Sequence, residues 1–238
     1  MKKTRKILAM AACAVLLVCI SVGATVAYLT STDSVTNTFT VGKVKITLDE
    51  TLVGPDGREA RHDPETGKLV PADEDTAERT KSNSYKLMPG GRYLKDPTVT
   101  VKAGSSPSYI RMIVTVTFQK ELTKETLATK LDGIFEQYSA THWPRHGDPV
   151  VTVANGKTTV KYEYRYNGWE GNDPVVTVSE TADKALPSLF SWINIPSEWD
   201  NDEMQAFGGF TIDIIAQAVQ ADGFGTADEA WNATFDKP

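Results

Sequence analysis

The sequence predicts an all-β protein, a two-sheet sandwich of the jelly-roll or immunoglobulin-like type. Three observations predict it: apolar and polar residues alternate along several segments, Gly and Pro turn signals separate those segments, and helical patterns are few and short. Alternation with a period of two marks strands with one buried face. Many short strands between turns are typical of a sandwich. We also expect a few short helices and an N-terminal signal helix.

Seven segments carry the strand pattern in its clearest form. Within 109–118, for example, the even-numbered residues from Ile110 to Phe118 are all apolar and share one face. β-branched and aromatic side chains, which suit a pleated surface, are frequent in these segments. The predicted strands are 43–48, 97–102, 109–118, 149–153, 157–166, 189–195 and 210–218.

Turn and helix signals fill the stretches between the strands. Asn155-Gly156 predicts a type I′ hairpin turn, because such a turn needs positive φ at both central residues. The predicted helical segments are 123–131, 200–206 and 226–231. The last of these opens with Thr226 and Glu229 at the spacing of a capping box.

The stretch 52–84 breaks the alternating pattern with many polar residues. We expect an exposed insertion, partly mobile, in which 62–70 form a small hairpin. The rest of the chain shows no internal repeat and no sign of a second domain. The sequence therefore predicts a signal peptide at 1–27 and a single β-sandwich domain at 28–238.

The N-terminus has the three parts of a secretory signal. Residues 1–6 are basic, 7–20 are apolar, and small residues follow up to Ala27. We expect cleavage between Ala27 and Tyr28 and a secreted product in the extracellular matrix or on the cell surface. A membrane anchor that stays uncleaved is the alternative, because about 20 apolar residues can span a bilayer. Otherwise the protein is expected to meet the membrane only through the signal.

Charge and cysteine content narrow the function classes. The full chain has a net charge of −6, and the signal removes four basic residues and no acid, so the mature form sits near −10. Such an acidic chain argues against nucleic acid as a partner, since phosphates need Lys and Arg. Cys13 and Cys19 both lie in the signal, and lipidation is disfavoured because Val18 is too large for a lipobox position. The mature chain then has no disulfide, thiol nucleophile or cysteine zinc site.

No catalytic residue and no metal ligand is predicted, and we expect the protein not to be an enzyme. His142 and His146 have the i, i+4 spacing of a zinc protease motif but lack its glutamate. Pro144 between them breaks the helix that would aim both rings at one ion. We interpret them as surface histidines.

Two acidic clusters and one row of aromatic residues are weaker candidates for a binding site. Loop acids at 73–75 and 200–203 permit weak calcium binding, although neither has the EF-hand spacing, and no other cofactor is expected. Tyr162, Tyr164 and Tyr166 share one strand face, which is typical of a core edge and less often of a sugar site.

The stretch 23–48 resembles the start of exported proteins that depend on the signal peptidase SipW, the TasA and camelysin (CalY) family of biofilm-matrix proteins in Gram-positive bacteria. Ala27-Tyr28 matches the processing point of that family. The other matching residues there are Asn37, Phe39, Gly42, Val44 and Ile46. The later blocks that resemble the family are 87–91, 95–101, 216–224 and 230–231.

The resemblance implies a jelly-roll fold and a secreted structural subunit of an extracellular biofilm matrix or surface fibre. Its implied partners are a SipW-type signal peptidase and further subunits, either identical or related. Some camelysin-type relatives are described as metalloproteases, but the missing metal motif argues against that activity here. A monomeric surface binding module for carbohydrate or protein is the alternative function.

The family mechanism is strand addition, in which an extended segment of one subunit pairs with an open sheet edge of the next. The candidate donor is 28–41, which cleavage would free and which contains no Pro, Gly or Lys. Its apolar residues are Tyr28, Leu29, Val35, Phe39 and Val41. The same pattern also fits a first strand that pairs within its own subunit.

Overall fold

The computed structural model describes residues 43–85, 87–131, 133–168, 173–198 and 210–236. All of them belong to one compact unit that spans 35–238. The predicted signal peptide with its helix, the cleavage point Ala27-Tyr28, the donor segment 28–41 and the helical turn within 200–206 lie outside the described residues.

Strands dominate the described residues, so the predicted all-β class is confirmed. The strands are β1 (Ile46–Thr51), β2 (Ala60–His62), β3 (Leu69–Pro71), β4 (Arg79–Thr80), β5 (Arg92–Leu94), β6 (Thr98–Val101), β7 (Ser108–Phe118), β8 (Phe135–Glu136), β9 (Val150–Ala154), β10 (Lys157–Arg165), β11 (Val175–Val176), β12 (Lys184–Ala185), β13 (Trp192–Asn194) and β14 (Phe210–Gln220). The helices are α1 (Lys124–Leu131) and α2 (Ala227–Thr234). Neither described helix has the length and hydropathy of a membrane span.

The largest sheet has five antiparallel strands, with β7 at its centre. On one side β7 pairs with β14 along its whole length. On the other side it pairs with β10 and, beyond the end of β10, with the short β11. β9 follows β10 as the outer strand. In the described part of the chain, β9 and β14 are therefore the two borders of this sheet.

The hairpin between β9 and β10 has the predicted turn. Asn155 and Gly156 both have positive φ, 54° and 74°. These are the conformations that a type I′ turn requires, and Asn and Gly adopt them more readily than other residues. Lys157 pairs with Ala154 directly after the turn, which sets the register of the hairpin.

A second sheet has four strands in the order β12-β6-β1-β4. It shares one hydrophobic core with the five-stranded sheet, since Ile46 and Val99 lie in the same cluster as Met112 and Val160. The even-numbered residues of β7 from Ile110 to Phe118 are all buried, as their alternation predicts. The jelly-roll connectivity stays a prediction.

The polar stretch 52–84 is built into the molecule more firmly than an exposed insertion would be. The expected hairpin is present as β2 and β3, slightly wider than the predicted 62–70. Val53 and Ala60 are buried, with 5% and 1% of their surface exposed. Arg79 of β4 donates to Asp49 and Asp96, which satisfies its charge and holds the strand against β1.

A three-stranded sheet, β5-β13-β8, completes the β structure apart from the hairpin. The predicted strand 189–195 is shorter here, because only Trp192–Asn194 pair with neighbours. Leu189 and Phe190 leave the strand and are buried in the main core instead. A buried ion pair of Lys95 with Glu50, 2.6 Å between Nζ and Oε2, ties the residue after β5 to β1.

The C-terminal helix α2 begins with half of the predicted capping box. The Glu229 N–H donates to Thr226 Oγ1 at 3.2 Å, as in such a box. The Glu229 carboxylate, however, accepts from the N–H of Gly225 at 2.8 Å and not from that of Thr226. The Glu229 carboxylate therefore caps the N–H of Gly225, one residue before the N–H that a capping box predicts.

Candidate functional site

The outer border of β14 is the candidate functional site. β14 pairs with β7 through all eleven residues, from Phe210 opposite Phe118 to Gln220 opposite Ser108, without a bulge. No other strand among the described residues pairs with its far side. The structure thus presents one long, regular strand whose second side forms no strand pairing in the described part of the chain.

The direction of each backbone group along β14 follows from one hydrogen bond. The N–H of Ala221 donates to the carbonyl of Pro107 at 2.8 Å, and the register continues from this pair into the strand. In an antiparallel pair, hydrogen-bonded and non-bonded residues alternate. The odd-numbered residues of β14 therefore bond to β7, and the even-numbered ones direct N–H and C=O toward the open side.

The side chains on the inner face of β14 change along the strand. Ala216 and Ala218 are buried in the main core. Phe210, Ile212 and Ile214 pack against the same core but are only half-buried. The open side of the first half of β14 therefore borders an apolar strip that is incompletely covered by the described residues.

β14 lacks the features that usually protect a sheet border from other strands. Natural border strands carry Lys or Pro, contain bulges, or are very short. β14 has eleven residues, no Lys and no Pro, and Asp213 is its one charged residue. β9 at the opposite border also lacks charge, but it has five residues, four of them exposed. β14 is the better template for pairing because it is longer and has the apolar strip.

The paired side of β14 is held by a buried arginine. Arg111 on β7 has only 2% of its surface exposed and donates from Nε to Gln217 Oε1 of β14 at 2.7 Å. Its two terminal nitrogens donate to Asp236 at 2.8 and 2.9 Å. The guanidinium also lies 4.5 Å from the ring of Trp231 on α2. β14 is thus fixed to the sheet and to the C-terminal helix by one side chain.

In the described part of the chain, the structure does not group the predicted histidines and loop acids into a chemical site. His146 is exposed, and His142 Nδ1 lies 2.6 Å from Ser139 Oγ. Asp73 accepts from the N–H and hydroxyl of Thr76, so its carboxylate closes a local turn. Asp200–Glu203 lie outside the described residues. In the ranges that are described, no three His, Cys, Asp or Glu side chains are close enough to hold a metal ion.

The tyrosine row belongs to the core, as the sequence favoured. Tyr162, Tyr164 and Tyr166 are exposed by 9%, 7% and 5% of their surface. The Tyr166 ring packs edge-on against Trp143 at 5.1 Å. Sequence analysis found β14 as a strand but did not single out its border, although the missing Lys and Pro in 210–220 would have been a usable signal.

Comparisons with models of known families, with curated proteins and with solved structures gave no match. The family resemblance of the N-terminal stretch therefore stays a prediction.

Proposed function

We propose that this protein is a secreted structural subunit of an extracellular matrix or surface fibre, which assembles by strand addition at the border of β14. The observation that carries the proposal is the long, unprotected β14 with its half-buried apolar strip. Such a border offers main-chain pairing and an apolar strip against which alternate side chains of an added strand pack, as strand addition requires.

The expected donor is 28–41 of a neighbouring subunit. The odd-numbered residues Leu29, Val35, Phe39 and Val41 share one face of an extended strand. That face would cover Phe210, Ile212 and Ile214, while the donor backbone bonds to the even-numbered residues of β14. Each such hydrogen bond contributes about 1 kcal/mol net, so several of them and the apolar burial together hold two subunits.

Export and assembly are coupled in this proposal. Cleavage after Ala27 by a SipW-type peptidase, as the family resemblance implies, frees the donor from the membrane. Each subunit then gives one strand and receives another, and such a head-to-tail contact does not close on itself. Filaments of identical or related subunits are the result.

Negative-stain electron microscopy of protein that begins at a free Tyr28, over a rising concentration series, tests the proposal. We expect regular filaments from the parent chain and folded monomers after deletion of 28–41. A matched pair of variants keeps the chain length: Phe39→Asp with Val41→Asp changes the donor face, and Thr38→Asp with Thr40→Asp changes the opposite face by the same charge. We expect only the first pair to block filaments.

The alternative outcomes separate the donor idea from the fibre idea. Filaments from the deletion variant would refute 28–41 as the donor. Monomers from the parent chain at every concentration would refute self-assembly and favour a segment that pairs with β14 of its own subunit.

A further inference from the structure

A cavity of about 640 Å³ lies on the inner face of β10, and no residue of β14 is among those that line it. α1 covers one side of it, and the connection from Gly133 to Pro149 forms much of the rest. This volume falls in the range of small-molecule sites, which are concave and mostly apolar with a few placed polar groups. The cavity is a candidate binding site that is independent of fibre assembly.

The walls are aromatic and aliphatic. Tyr162 and Tyr164 lie side by side on β10 with nearly parallel rings, 6.3 Å between centroids. Phe135 meets Tyr162 edge-on at 6.4 Å, and Leu127 and Val160 add aliphatic surface. A ligand with an apolar body would bury that body against these rings and methyl groups.

Two cations, Lys124 at the start of α1 and Arg145, also line the cavity. Neither pairs with a carboxylate in the described part of the chain, whereas Arg79, Arg92 and Arg111 all do. The described residues that line the cavity include no Asp, Glu, Asn or Gln. The polar groups of the site are therefore positive charges and hydroxyls, with no side-chain carboxylate or amide to accept from a ligand.

The tyrosine hydroxyls keep their protons in this setting. Burial raises the pKa of Tyr162 and, more strongly, that of Tyr164, although Arg145 opposes the shift in both. They therefore remain hydrogen-bond donors at neutral pH, and a donor favours an acceptor such as a carboxylate.

We infer that this cavity binds a small soluble acid with an apolar body, such as an aliphatic or aromatic carboxylic acid. The carboxylate would lie toward Lys124 and Arg145, and the body would lie along Tyr162, Tyr164 and Phe135. A neutral sugar fits less well, because it brings no negative charge to Lys124 and Arg145. A cationic ligand would meet two like charges.

Calorimetric titration with matched probes tests this inference. The full chain is expressed, and the protein is purified in the form in which the cells produce it. No detergent is used, because a detergent would itself occupy the cavity. The probes are decanoate and 4-phenylbutyrate, the neutral amide of each acid, and maltose. We expect both acids to bind, each amide to bind at least about tenfold more weakly, and maltose not to bind.

Variants assign the binding to the cavity. Lys124→Gln with Arg145→Gln should lower the affinity for the acids by about tenfold and the affinity for the amides by less than about twofold. Lys45→Gln with Arg61→Gln removes the same two charge types from an exposed and a half-buried position elsewhere, and the affinities for acid and amide should stay unchanged. Val151→Trp fills the cavity from the half-buried side of β9 and should abolish binding of acid and amide, with circular dichroism as the check on folding.

Four results would overturn the inference. Equal affinity for acid and amide would remove the role of the two cations, and absence of binding by every probe would remove the site. Co-sedimentation with phosphatidylglycerol vesicles, lost in the Lys124→Gln and Arg145→Gln variant while the soluble acids do not bind, would reassign the site to an anionic membrane surface. Acid binding that appears only after deletion of 28–41 would indicate that the protein's own segment 28–41 occupies the cavity.

Discussion

The guanidinium group of Arg111 joins three parts of the molecule. It is buried on β7, donates to Gln217 on β14, and forms two bonds with Asp236 after α2. A buried charge needs such partners, because an unpaired one costs several kcal/mol. Trp231, which is 1% exposed, covers the same group with its ring. At the scale of single residues, this contact fixes the C-terminal helix to the large sheet.

Asp236→Asn should lower stability in a pH-dependent way. The hydrogen bonds and charge of Arg111 lower the pKa of Asp236 below its ordinary value near 3.8. The stabilisation is therefore complete above that value and disappears as pH falls through the lower, folded-state pKa. Because 40% of the Asp236 side chain is exposed, we expect a loss of only roughly 1 kcal/mol at pH 7. Urea unfolding of parent and variant between pH 7 and pH 2 measures it.

Asp148→Asn, which changes an exposed residue, is the control for this prediction. It lies in a loop and forms no ion pair among the described residues, so its free energy of unfolding should stay close to that of the parent chain. A constant difference between parent and Asp236→Asn down to pH 2 would show that the asparagine acts through something other than the lost charge.

Local sequence patterns predicted the turns correctly, but they did not predict which charged residues are buried. Asn155-Gly156 has the predicted type I′ conformation because both residues tolerate positive φ, a purely local property. The Lys95–Glu50 pair is buried although both residues are charged, and they are 45 positions apart. A local pattern cannot show that partnership, because it exists only once β1 and the segment after β5 are packed together.

At the scale of elements, length decided what could be predicted. The strands predicted at 109–118 and 210–218 are present at Ser108–Phe118 and Phe210–Gln220, because eight or more residues display the period clearly. Five strands of two or three residues were not predicted, since they are too short to alternate. They are β4, β5, β8, β11 and β12.

Ile214→Pro should block filament growth while leaving the fold intact. The N–H of Ile214 is directed away from β7, so proline removes a donor for the incoming strand and no bond of the existing sheet. Ile214→Ala is the matched control, because it shortens the side chain but keeps the N–H. Sedimentation velocity should show monomers for the proline variant and polymers for the alanine variant. If both variants polymerise like the parent chain, β14 is not the acceptor.

At the scale of the whole molecule, charge opposes assembly. The chain that the predicted cleavage after Ala27 would leave carries about −10, as follows from the full-chain charge of −6 and the four basic residues of 1–27. Like-charged subunits repel, and salt screens exposed charges over a Debye length of about 8 Å at 0.15 M. We expect the critical concentration for filaments to fall as NaCl rises from about 0.01 to 0.15 M, as measured by light scattering. The chain without 28–41 should scatter as a monomer throughout, and a critical concentration that rises with salt would contradict a role for repulsion.

The two candidate sites, the border of β14 and the cavity, differ in how much of each could be predicted from the sequence. The donor pattern of 28–41 is visible in the sequence, but its partner is not, because a strand looks the same whether it pairs within a subunit or between two. The cavity could not be predicted, since its walls come from α1, β10 and the connection 133–149, which only the fold brings together.

The bonds between Arg111 and Asp236 have a mechanical consequence. If the protein forms the proposed fibre, a pull on the chain beyond α2 reaches Asp236 before it reaches the helix. From there the two bonds to Arg111 pass the force to β7, which is paired along its length with β14 and β10. The tension is thus spread over the central strand of the large sheet, and the last helix is not peeled away first.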